Sequence, residues 1–283
     1  MSAFRRGGQE SRGGAGLPST IRLLSYNIQM GVDTTSYRDY FTQGWKHLLP
    51  HRARMRNLNR IAALLHGFDM VSLQEVDAGS LRSGFVDITE YLAHRAAFPH
   101  WYRQINRNIG PIARHSNGFL SRFPAAEVSH YKLPAAPGRG AMVIRFGSHR
   151  QAFTLCCAHL ALGRRGRERQ LAFLSEVLAD YPHLVVMGDL NADCRAPEIR
   201  RFIIRTGLHE PACDQPTFPS WRPVRKIDHI LVSESLTTVE SKVLDYSFSD
   251  HLPVQLTLAL PESARAGEPG PTVAADRAVE NAV

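Results

Sequence analysis

Short apolar stretches rich in β-branched residues recur along the chain, and each has the length of a β-strand. Several of them end in residues that favour turns, which is typical of strands. They occupy residues 21–28, 69–76, 118–122, 141–146, 151–160, 183–190, 226–233 and 253–260. We find no internal repeat and no linker long enough to split the chain between them.

A helical repeat of apolar residues lies between some of these stretches. Positions three and four apart are apolar in residues 51–66 and 166–180, and weaker helical patterns cover 87–97 and 197–206. Many strands with few helices predict sheets packed on each other with helices outside. The predicted fold class is α/β (α+β): a four-layer α/β/β/α sandwich with two packed, mainly antiparallel β-sheets.

The two ends of the chain differ from its centre. Residues 1–19 are basic and glycine-rich without the apolar core of a signal peptide, and residues 261–283 are equally polar. We expect a flexible N-terminal arm over 1–19, one folded domain over 20–260 and a disordered tail over 261–283. Residues 29–50 are long, aromatic and irregular, and such ordered loops often border functional sites.

Charge favours an anionic partner without identifying it. The 283 residues include 34 Lys and Arg against 26 Asp and Glu, which gives a formal net charge of +8. Residues 101–150 hold eight basic residues and a single acid, Glu127. This stretch predicts either a rim that attracts phosphate groups or simply a solvated basic face.

The four cysteines do not predict a zinc site. Cys156 and Cys157 lie inside an apolar stretch and are expected to be buried thiols, while Cys194 and Cys213 form no CxxC pair. This usage suits a reducing compartment. With no segment long enough to span a membrane, we expect a cytoplasmic monomer, with peripheral contact to an anionic membrane surface as one option.

Polar side chains fall where the apolar stretches end. A carboxylate, amide or imidazole at these points would gather at one rim of a sheet. The residues are Asn27 in SYNIQ, Glu75 in LQEV, Asp189 and Asn191 in GDLNAD, and Asp250 and His251 in SDHLPV. Clustered carboxylates repel one another unless a cation neutralises them, and hard oxygen ligands suit Mg²⁺ or Mn²⁺.

Each of these residues also has an ordinary structural explanation. Taken alone, Asn27 is more often a turn or cap residue, GDLN is a simple turn, and His159 in AHL is a half-buried histidine. What favours the functional interpretation is their occurrence together in one order.

That order resembles the endonuclease/exonuclease/phosphatase superfamily, which includes DNase I-like nucleases, abasic-site endonucleases, neutral sphingomyelinases and inositol-polyphosphate phosphatases. The motifs are SYNI, LQEV, NGFLSR, AHL, GDLNAD, IDHILVS and SDHLPV, spread over about residues 20–260. GDLN and SDH in this order are specific, whereas either alone would be weak. The resemblance implies a DNase I-like fold, a catalytic domain over 20–260 and a divalent metal cofactor, Mg²⁺ or Mn²⁺.

The resemblance also implies roles for individual residues. Asn27, Glu75 and Asp250 would bind the metal, with Glu75 the principal ligand. Asp189 would deprotonate the attacking water, Asn191 would hold the scissile phosphate, and His251, oriented by Asp228, would contact the phosphoryl oxygens. His159 matches the histidine of the DNase I-like and sphingomyelinase-like members.

Four further residues are predicted to contact substrate. Asn117 and Arg122 belong to the NGFLSR motif, and Arg169 follows a basic turn. Trp221 and the neighbouring Phe218 lie in PTFPSW, where packing is a better explanation than stacking on a base.

Three functions remain open on the sequence. The preferred one is a metal-dependent phosphoesterase acting on a lipid head group or a phosphorylated metabolite, and the alternatives are a nuclease and a non-catalytic phosphate-binding protein. Gln29 stands where abasic-site endonucleases usually carry an acid, which argues against DNA repair. Retention of the predicted ligands and of His251 argues against a non-catalytic protein.

Overall fold

Twelve β-strands and five helices form within residues 16–31, 52–211 and 214–265, the part of the chain that the computed structural model describes. The strands are β1 (Thr20–Asn27), β2 (Met70–Asp77), β3 (His100–Ile109), β4 (Ala113–Ser121), β5 (Glu127–Lys132), β6 (Gly140–Phe146), β7 (Phe153–His159), β8 (Leu184–Asp189), β9 (Leu208–His209), β10 (Asp228–Ser233), β11 (Thr237–Val243) and β12 (Val254–Ala259). The helices are α1 (Arg52–Leu65), α2 (Ile88–Arg95), α3 (Arg164–Val177), α4 (Pro197–Thr206) and α5 (Glu262–Arg265).

The strands form two six-stranded sheets with matching designs. Their orders are β11-β12-β1-β2-β4-β3 and β5-β6-β7-β8-β10-β9. Neighbours are antiparallel except for β1 with β2 and β7 with β8, which are parallel and occupy the centre of each sheet. Parallel neighbours end at the same edge, so each sheet delivers the last residues of two central strands to one side.

Apolar side chains fill three layers between the four layers of structure. The inner faces of the two sheets meet through residues such as Leu23, Phe119 and Met187. Helices α1 and α2 cover the outer face of the first sheet, and α3 and α4 cover that of the second. The predicted α/β/β/α sandwich is therefore confirmed, and so are the mainly antiparallel sheets.

The structure places four strands that the apolar pattern did not predict. They are β3, β5, β9 and β11, and each is an edge strand of its sheet. Edge strands have one neighbour and carry more polar side chains, so they lack a continuous apolar signal. The helices predicted at 51–66, 87–97, 166–180 and 197–206 correspond to α1 to α4.

The ends of the domain extend slightly past the predicted boundaries. Leu17 is buried in the core between the sheets, and the N–H of Leu260 donates to the carbonyl of Ser19. Ala264 in α5 is also buried. The rest of the predicted arm and tail, residues 1–15 and 266–283, and most of the segment 29–50 lie outside the described residues.

Two further findings concern the helices and the cysteines. Within the described residues, no helix is long and apolar enough to cross a membrane. Cys156 and Cys157 are buried thiols, as expected, but Cys194 is disulfide-bonded. The cytoplasmic location stays a prediction.

Gly188 provides a test of how tightly the central strands pack. It has a positive φ of 146°, and a Cβ atom there would lie 1.9 Å from the carbonyl oxygen of Ala158 on β7. We expect Gly188→Ala to lower the free energy of unfolding by more than about 4 kcal/mol, because the contact is with backbone that cannot yield. Urea unfolding followed by circular dichroism measures the change.

Gly207 is the matched control, since its φ is also positive (66°) but nothing lies within 4 Å of its added Cβ. Gly207→Ala should cost only about 1–2 kcal/mol, the price of a left-handed alanine. Equal losses in the two variants would contradict the packing described for β7 and β8.

Candidate active site

The carboxyl ends of the central strands meet where the two sheets pack together. Asn27 ends β1, and Asp189 ends β8 of the other sheet. The side-chain amide of Asn27 donates to Oδ2 of Asp189 at 3.1 Å, and both residues are buried. This hydrogen bond links the two sheets at the site.

Two histidines and a backbone amide surround the Asp189 carboxylate. Nε2 of His159, at the end of β7, lies 3.4 Å from Oδ2, and Nε2 of His251 lies 3.9 Å from the same atom. Oδ1 accepts the N–H of Asn191 at 2.9 Å. Asn191 has a left-handed φ of 55° and donates its side-chain amide to the carbonyl of Leu160.

His251 is held from its far side by Asp228. Nδ1 of His251 lies 2.8 Å from Oδ2 of Asp228, and the Thr217 hydroxyl donates to the same oxygen at 2.6 Å. The ring of Phe218 packs against the imidazole with 4.9 Å between centroids. The His–Asp pair expected from the family resemblance is therefore present in the geometry, and Phe218 packs rather than offering a free stacking face.

The remaining predicted ligands, Glu75 and Asp250, approach the same region. Asp250 is adjacent to His251, with 4.0 Å between its Oδ1 and Nε2 of the imidazole. Burial, with repulsion from Glu75 and Asp189, raises the pKa of Asp250 to about 7. Burial and the negative charges of Asp228 and Glu75 raise the pKa of Asp189 to about 6. Glu75 has a positive φ of 55°, an uncommon backbone conformation that is often found at functional sites.

The two histidines have opposite electrostatic environments. Burial and the positive charge of Arg139 hold the pKa of His159 well below its usual range, so its ring is neutral. Burial disfavours a charged His251, but the carboxylates of Asp228, Asp189 and Asp250 overcome it and raise its pKa to about 10. One neutral and one charged imidazole therefore face one carboxylate. Such a separation of the pKa values of neighbouring groups often marks acid and base roles.

The site residues fit a divalent cation. Asp189, Asp228 and His251 each offer a ligand atom within 4.8 Å of the others, and Oδ1 of Asp250 is buried without a hydrogen-bond partner. The raised pKa values of Asp189 and Asp250 show that their charges are incompletely compensated. Asp228 is already engaged by His251 and Thr217. The metal-binding roles of Glu75, Asp250 and Asn27 stay predictions, with carboxylate and amide oxygens that suit Mg²⁺ or Mn²⁺.

Arg139 and Thr217 belong to this site but were not predicted. Nη1 of Arg139 lies 2.8 Å from both ring nitrogens of His159. In the sequence Arg139 is one of eight basic residues in its stretch, and only its position between Gly138 and Gly140, just before a buried strand, sets it apart. Thr217 had no sequence signal, because its role depends on a contact with Asp228 eleven residues away.

The structure does not bring all predicted substrate contacts to the site. Ser121 pairs with Met70 at the start of β2, so Arg122 lies at the opposite edge from Glu75. There its guanidinium donates to the carbonyls of Phe68 and His66, which is a structural role. The structure therefore does not bring Arg122 to the site.

The structure places the other three predicted substrate contacts, Arg169, Asn117 and Trp221, in different surroundings. Arg169 is exposed on α3, while the neighbouring Arg167 is buried and paired with Glu198 at 2.7 Å. Asn117 is buried on β4 and donates to the carbonyl of Gly140, which follows Arg139. Trp221 is half-buried in the loop whose Ser220 N–H donates to the carbonyl of Asp250. The roles of these three in substrate binding stay predictions.

A buried ionic network supports the loop that carries Asn191. Nε2 of His229 lies 2.7 Å from the carbonyl oxygen of Ala192, and Nδ1 lies 3.0 Å from Glu210. Lys226 completes the network at 3.2 Å from Glu210. Burial opposes the charge on His229, but Glu210 raises its pKa, so the imidazolium can hold the Ala192 carbonyl in place.

A pocket of about 320 Å³ opens beside Asn191. Arg167, Arg225 and Lys226 contribute to its wall, together with the apolar side chains of Leu162 and Val224. Asp193 also lines the pocket, and Arg167 and Lys226 are paired with Glu198 and Glu210, so the walls are apolar and of mixed charge.

A family model described as the Endonuclease/Exonuclease/phosphatase family matches residues 24–251. The chain belongs to this family. The match includes Asn27, Glu75, Asp189 and His251, and family members hydrolyse phosphate esters. The resemblance inferred from the motifs is thus confirmed.

The chain is also similar to individual proteins in sequence and in fold. The uncharacterized protein YbhP of Escherichia coli strain K12 is 29% identical over 170 residues, 54% of this chain and 66% of that protein. An endonuclease/exonuclease/phosphatase from Beutenbergia cavernae superposes with a TM-score of 0.66 at 19% identity, over 86% of this chain and 72% of that one. The mannosyl-6-phosphatase Bt3783 of Bacteroides thetaiotaomicron gives a TM-score of 0.63 at 17% identity, over 84% and 99% of the two chains. At these identities the two structures show a shared fold.

Metal binding should depend on pH in a direction set by the raised carboxyl pKa values. Protons compete with the cation for Asp189 and Asp250, whose pKa values are about 6 and about 7. We expect Mn²⁺ to bind about tenfold more weakly for each pH unit between about 7 and about 6, where binding displaces one proton, and about a hundredfold more weakly for each unit below about 6, where it displaces two. Above about 7 the affinity should be constant, because binding then displaces no proton. Isothermal titration calorimetry across this range measures the affinity.

The variant Asp250→Asn is the control for this experiment. It removes the carboxylate with the higher pKa, so it should weaken Mn²⁺ binding and shift the remaining pH dependence to lower pH. An affinity that is constant from pH 5.5 to pH 8, or that falls as pH rises, would contradict the proton competition.

Proposed function

We propose that this protein is a divalent-metal-dependent phosphoesterase that hydrolyses a small phosphodiester or phosphomonoester with water as nucleophile. The observation that carries the proposal is the surroundings of Asp189. Its carboxylate contacts Asn27 of the other sheet and lies within 4 Å of a neutral and a charged histidine. Membership of a family of phosphate-ester hydrolases supports the same chemistry.

Asp189 is the proposed general base. Its pKa of about 6 leaves it mostly ionised at neutral pH, yet it is basic enough to accept a proton from a water beside it. His159 and Asn27 orient the carboxylate, and the Asn191 N–H fixes its second oxygen. We propose that a water beside this carboxylate attacks the ester.

His251 is the proposed cationic partner of the phosphoryl group. Asp228 and Thr217 fix its ring, and the surrounding carboxylates keep Nε2 protonated. An imidazolium can stabilise negative charge on the phosphoryl oxygens or give its proton to the departing oxygen. Arg139 contacts His159 and adds a second positive charge to the site.

A divalent cation held by Glu75, Asp250 and Asn27 would neutralise charge on the phosphate and lower the pKa of a nearby water. We propose Mg²⁺ or Mn²⁺ because the ligand set is carboxylate and amide oxygen. The orphaned Oδ1 of Asp250 supports this choice.

The substrate is proposed to be a lipid head group or a phosphorylated metabolite. The pocket beside Asn191 has a volume of about 320 Å³, enough for one small group, and its walls are apolar and of mixed charge. The fold of a neighbour named mannosyl-6-phosphatase supports the small-molecule option. The alternative, a nuclease, is equally compatible with the family and is favoured by the basic charge of the chain.

Hydrolysis of bis-p-nitrophenyl phosphate tests the proposal. EDTA should abolish the release of p-nitrophenol, and Mg²⁺ or Mn²⁺ should restore it. A parallel panel of phospholipids, phosphosugars, RNA and DNA identifies the substrate class. Full activity after exhaustive chelation would contradict the proposed dependence on a metal. Cleavage of DNA in preference to every small ester would favour the nuclease.

His251 and Asp228 should behave as one unit in kinetics. We expect His251→Ala to lower kcat by about 10²–10⁴-fold. Asp228→Asn should have a milder effect, and the double variant should be little worse than His251→Ala, because residues that act together are not additive. Steady-state kinetics on the best substrate gives the values, and melting temperatures show whether each variant is folded.

The interpretation depends on how the two losses combine. If the single effects multiply in the double variant, Asp228 does not act through His251. Arg200→Gln, an exposed change on α4, serves as a control that should leave kcat unchanged.

A further inference from the structure

We propose that the loop between β2 and α2 and the tip of the β3–β4 hairpin form a docking platform for an anionic membrane surface. This apolar platform consists of Leu81, Phe85, Ile109 and Ile112, with Arg107 and Arg114 beside them. The inference concerns where the protein works, and it deepens the proposed function by naming a substrate presented at a bilayer.

The first observation is the concentration of exposed apolar side chains. Leu81, Phe85, Ile109 and Ile112 are 42%, 68%, 39% and 51% exposed. The N–H of Leu81 donates to the carbonyl of Pro111 and that of Arg82 to the carbonyl of Ile112, so the two loops are joined. Scattered apolar residues are ordinary on a surface, but several on one joined pair of loops mark an interaction site.

The second observation is the backbone of Phe85. Its φ is 62°, a left-handed conformation that a bulky side chain rarely adopts. The strain displays a ring that is 68% exposed, so burial within the chain does not compensate for it. The backbone N–H of Phe85 donates to the carbonyl of Ser80, so a hydrogen bond within the loop holds the backbone in a conformation that leaves the ring facing solvent.

The third observation is the rigid support below the loop. The fully buried Asp77 carboxylate accepts from the backbone and hydroxyl of Ser80, from the Ser83 hydroxyl and from Nε of Arg82. The backbone N–H of Arg114 on the hairpin donates to it as well. The apolar residues are therefore presented on an ordered base, which lowers the entropy lost when they dock.

The charge of the side chains around the platform favours an anionic bilayer over a second protein as its binding partner. Within the described residues, Asp77 is paired with Arg82 and Asp87 with Arg103, whereas Arg107 and Arg114 form no ion pair. The platform thus has unpaired positive charge next to apolar tips, which suits anionic lipid at the bilayer interface. A second protein would need a patch of about 20–30 residues on each side, far more than the two joined tips provide.

The position of the platform connects docking with catalysis. The loop starts directly after β2, which carries Glu75, and Asp77 pairs with His115 on β4. On the other side, an added Cβ at Gly138 would lie 3.2 Å from Cβ of Arg107, and the next residue, Arg139, contacts His159. A bilayer on the platform would lie at the same edge as the site, where a lipid head group can enter.

Vesicle co-sedimentation of the full-length chain tests the proposal without relying on catalysis. The wild-type protein should bind vesicles of phosphatidylcholine with phosphatidylglycerol more tightly than vesicles of phosphatidylcholine alone. The double variant Phe85→Ser/Ile112→Ser should lower the partition coefficient at least about tenfold. Arg107→Gln and Arg114→Gln should each lower it about fivefold, and only on the anionic vesicles.

Two controls match these changes at distant positions. Ile204→Ser alters an isoleucine that is 76% exposed on α4, and Arg200→Gln removes an exposed charge from the same helix. Both should leave binding unchanged. If they weaken it as much as the platform variants do, or if the platform variants bind like wild type, the platform is not the docking surface.

Further measurements distinguish membrane binding from packing of the platform against protein. If Phe85→Ser/Ile112→Ser lowers the melting temperature, or converts a dimer to a monomer in light scattering, the apolar residues pack against protein and the membrane proposal is overturned. Hydrolysis of soluble bis-p-nitrophenyl phosphate should be unaffected by the platform variants. Vesicle binding by a protein that hydrolyses no phosphate ester would sink the proposed function and leave the docking platform standing.

Discussion

The burial of the Asp189 carboxylate is the constraint on which the rest of the site depends. An ionised carboxylate removed from water is costly unless charges and hydrogen bonds compensate it. Here the compensation comes from different parts of the fold: Asn27 from the first sheet, His159 from the neighbouring strand, and His251 from the segment before β12. The Asn27 and His251 contacts form only when the two sheets pack together, whereas His159 lies beside Asp189 within one sheet, so the complete site requires the assembled sandwich.

The topology makes this convergence possible. Each sheet contains one parallel pair, and both pairs are central. An entirely antiparallel arrangement would send the ends of neighbouring strands to opposite edges. With the parallel pairs, Asn27, Glu75, His159 and Asp189 all reach the edge at which chemistry is proposed. The tight approach of β7 and β8 needed for this is visible at Gly188, which has no room for a side chain.

The same burial also determines the pKa values of the carboxyl groups in the site. The carboxylates of Asp189 and Asp250 are only partly compensated by the protein, and their raised pKa values express this deficit. A cation resolves the deficit more directly than further hydrogen bonds would, because it balances several negative charges at once. Away from the site, Glu210 and Asp77 are fully engaged by cations and hydroxyls and serve as rigid supports, one below the Asn191 loop and one below the apolar platform.

The sequence by itself determined the central strands, the main helices and the identity of the polar residues at the strand ends. Buried strands such as β8 are continuous apolar runs, so local pattern suffices to find them, and motifs such as GDLN and SDH lie within a few residues of chain. The four edge strands escaped prediction because half of their surface faces solvent. Tertiary structure alone decided that Arg139 and Thr217 join the site and that Arg122 does not, since each depends on a partner distant along the chain or on the edge of the sheet at which a strand ends. Tertiary structure also decided that the four apolar residues of the platform share one exposed surface. They are separate in the sequence, and they meet only because the β2–α2 loop is hydrogen-bonded to the tip of the β3–β4 hairpin.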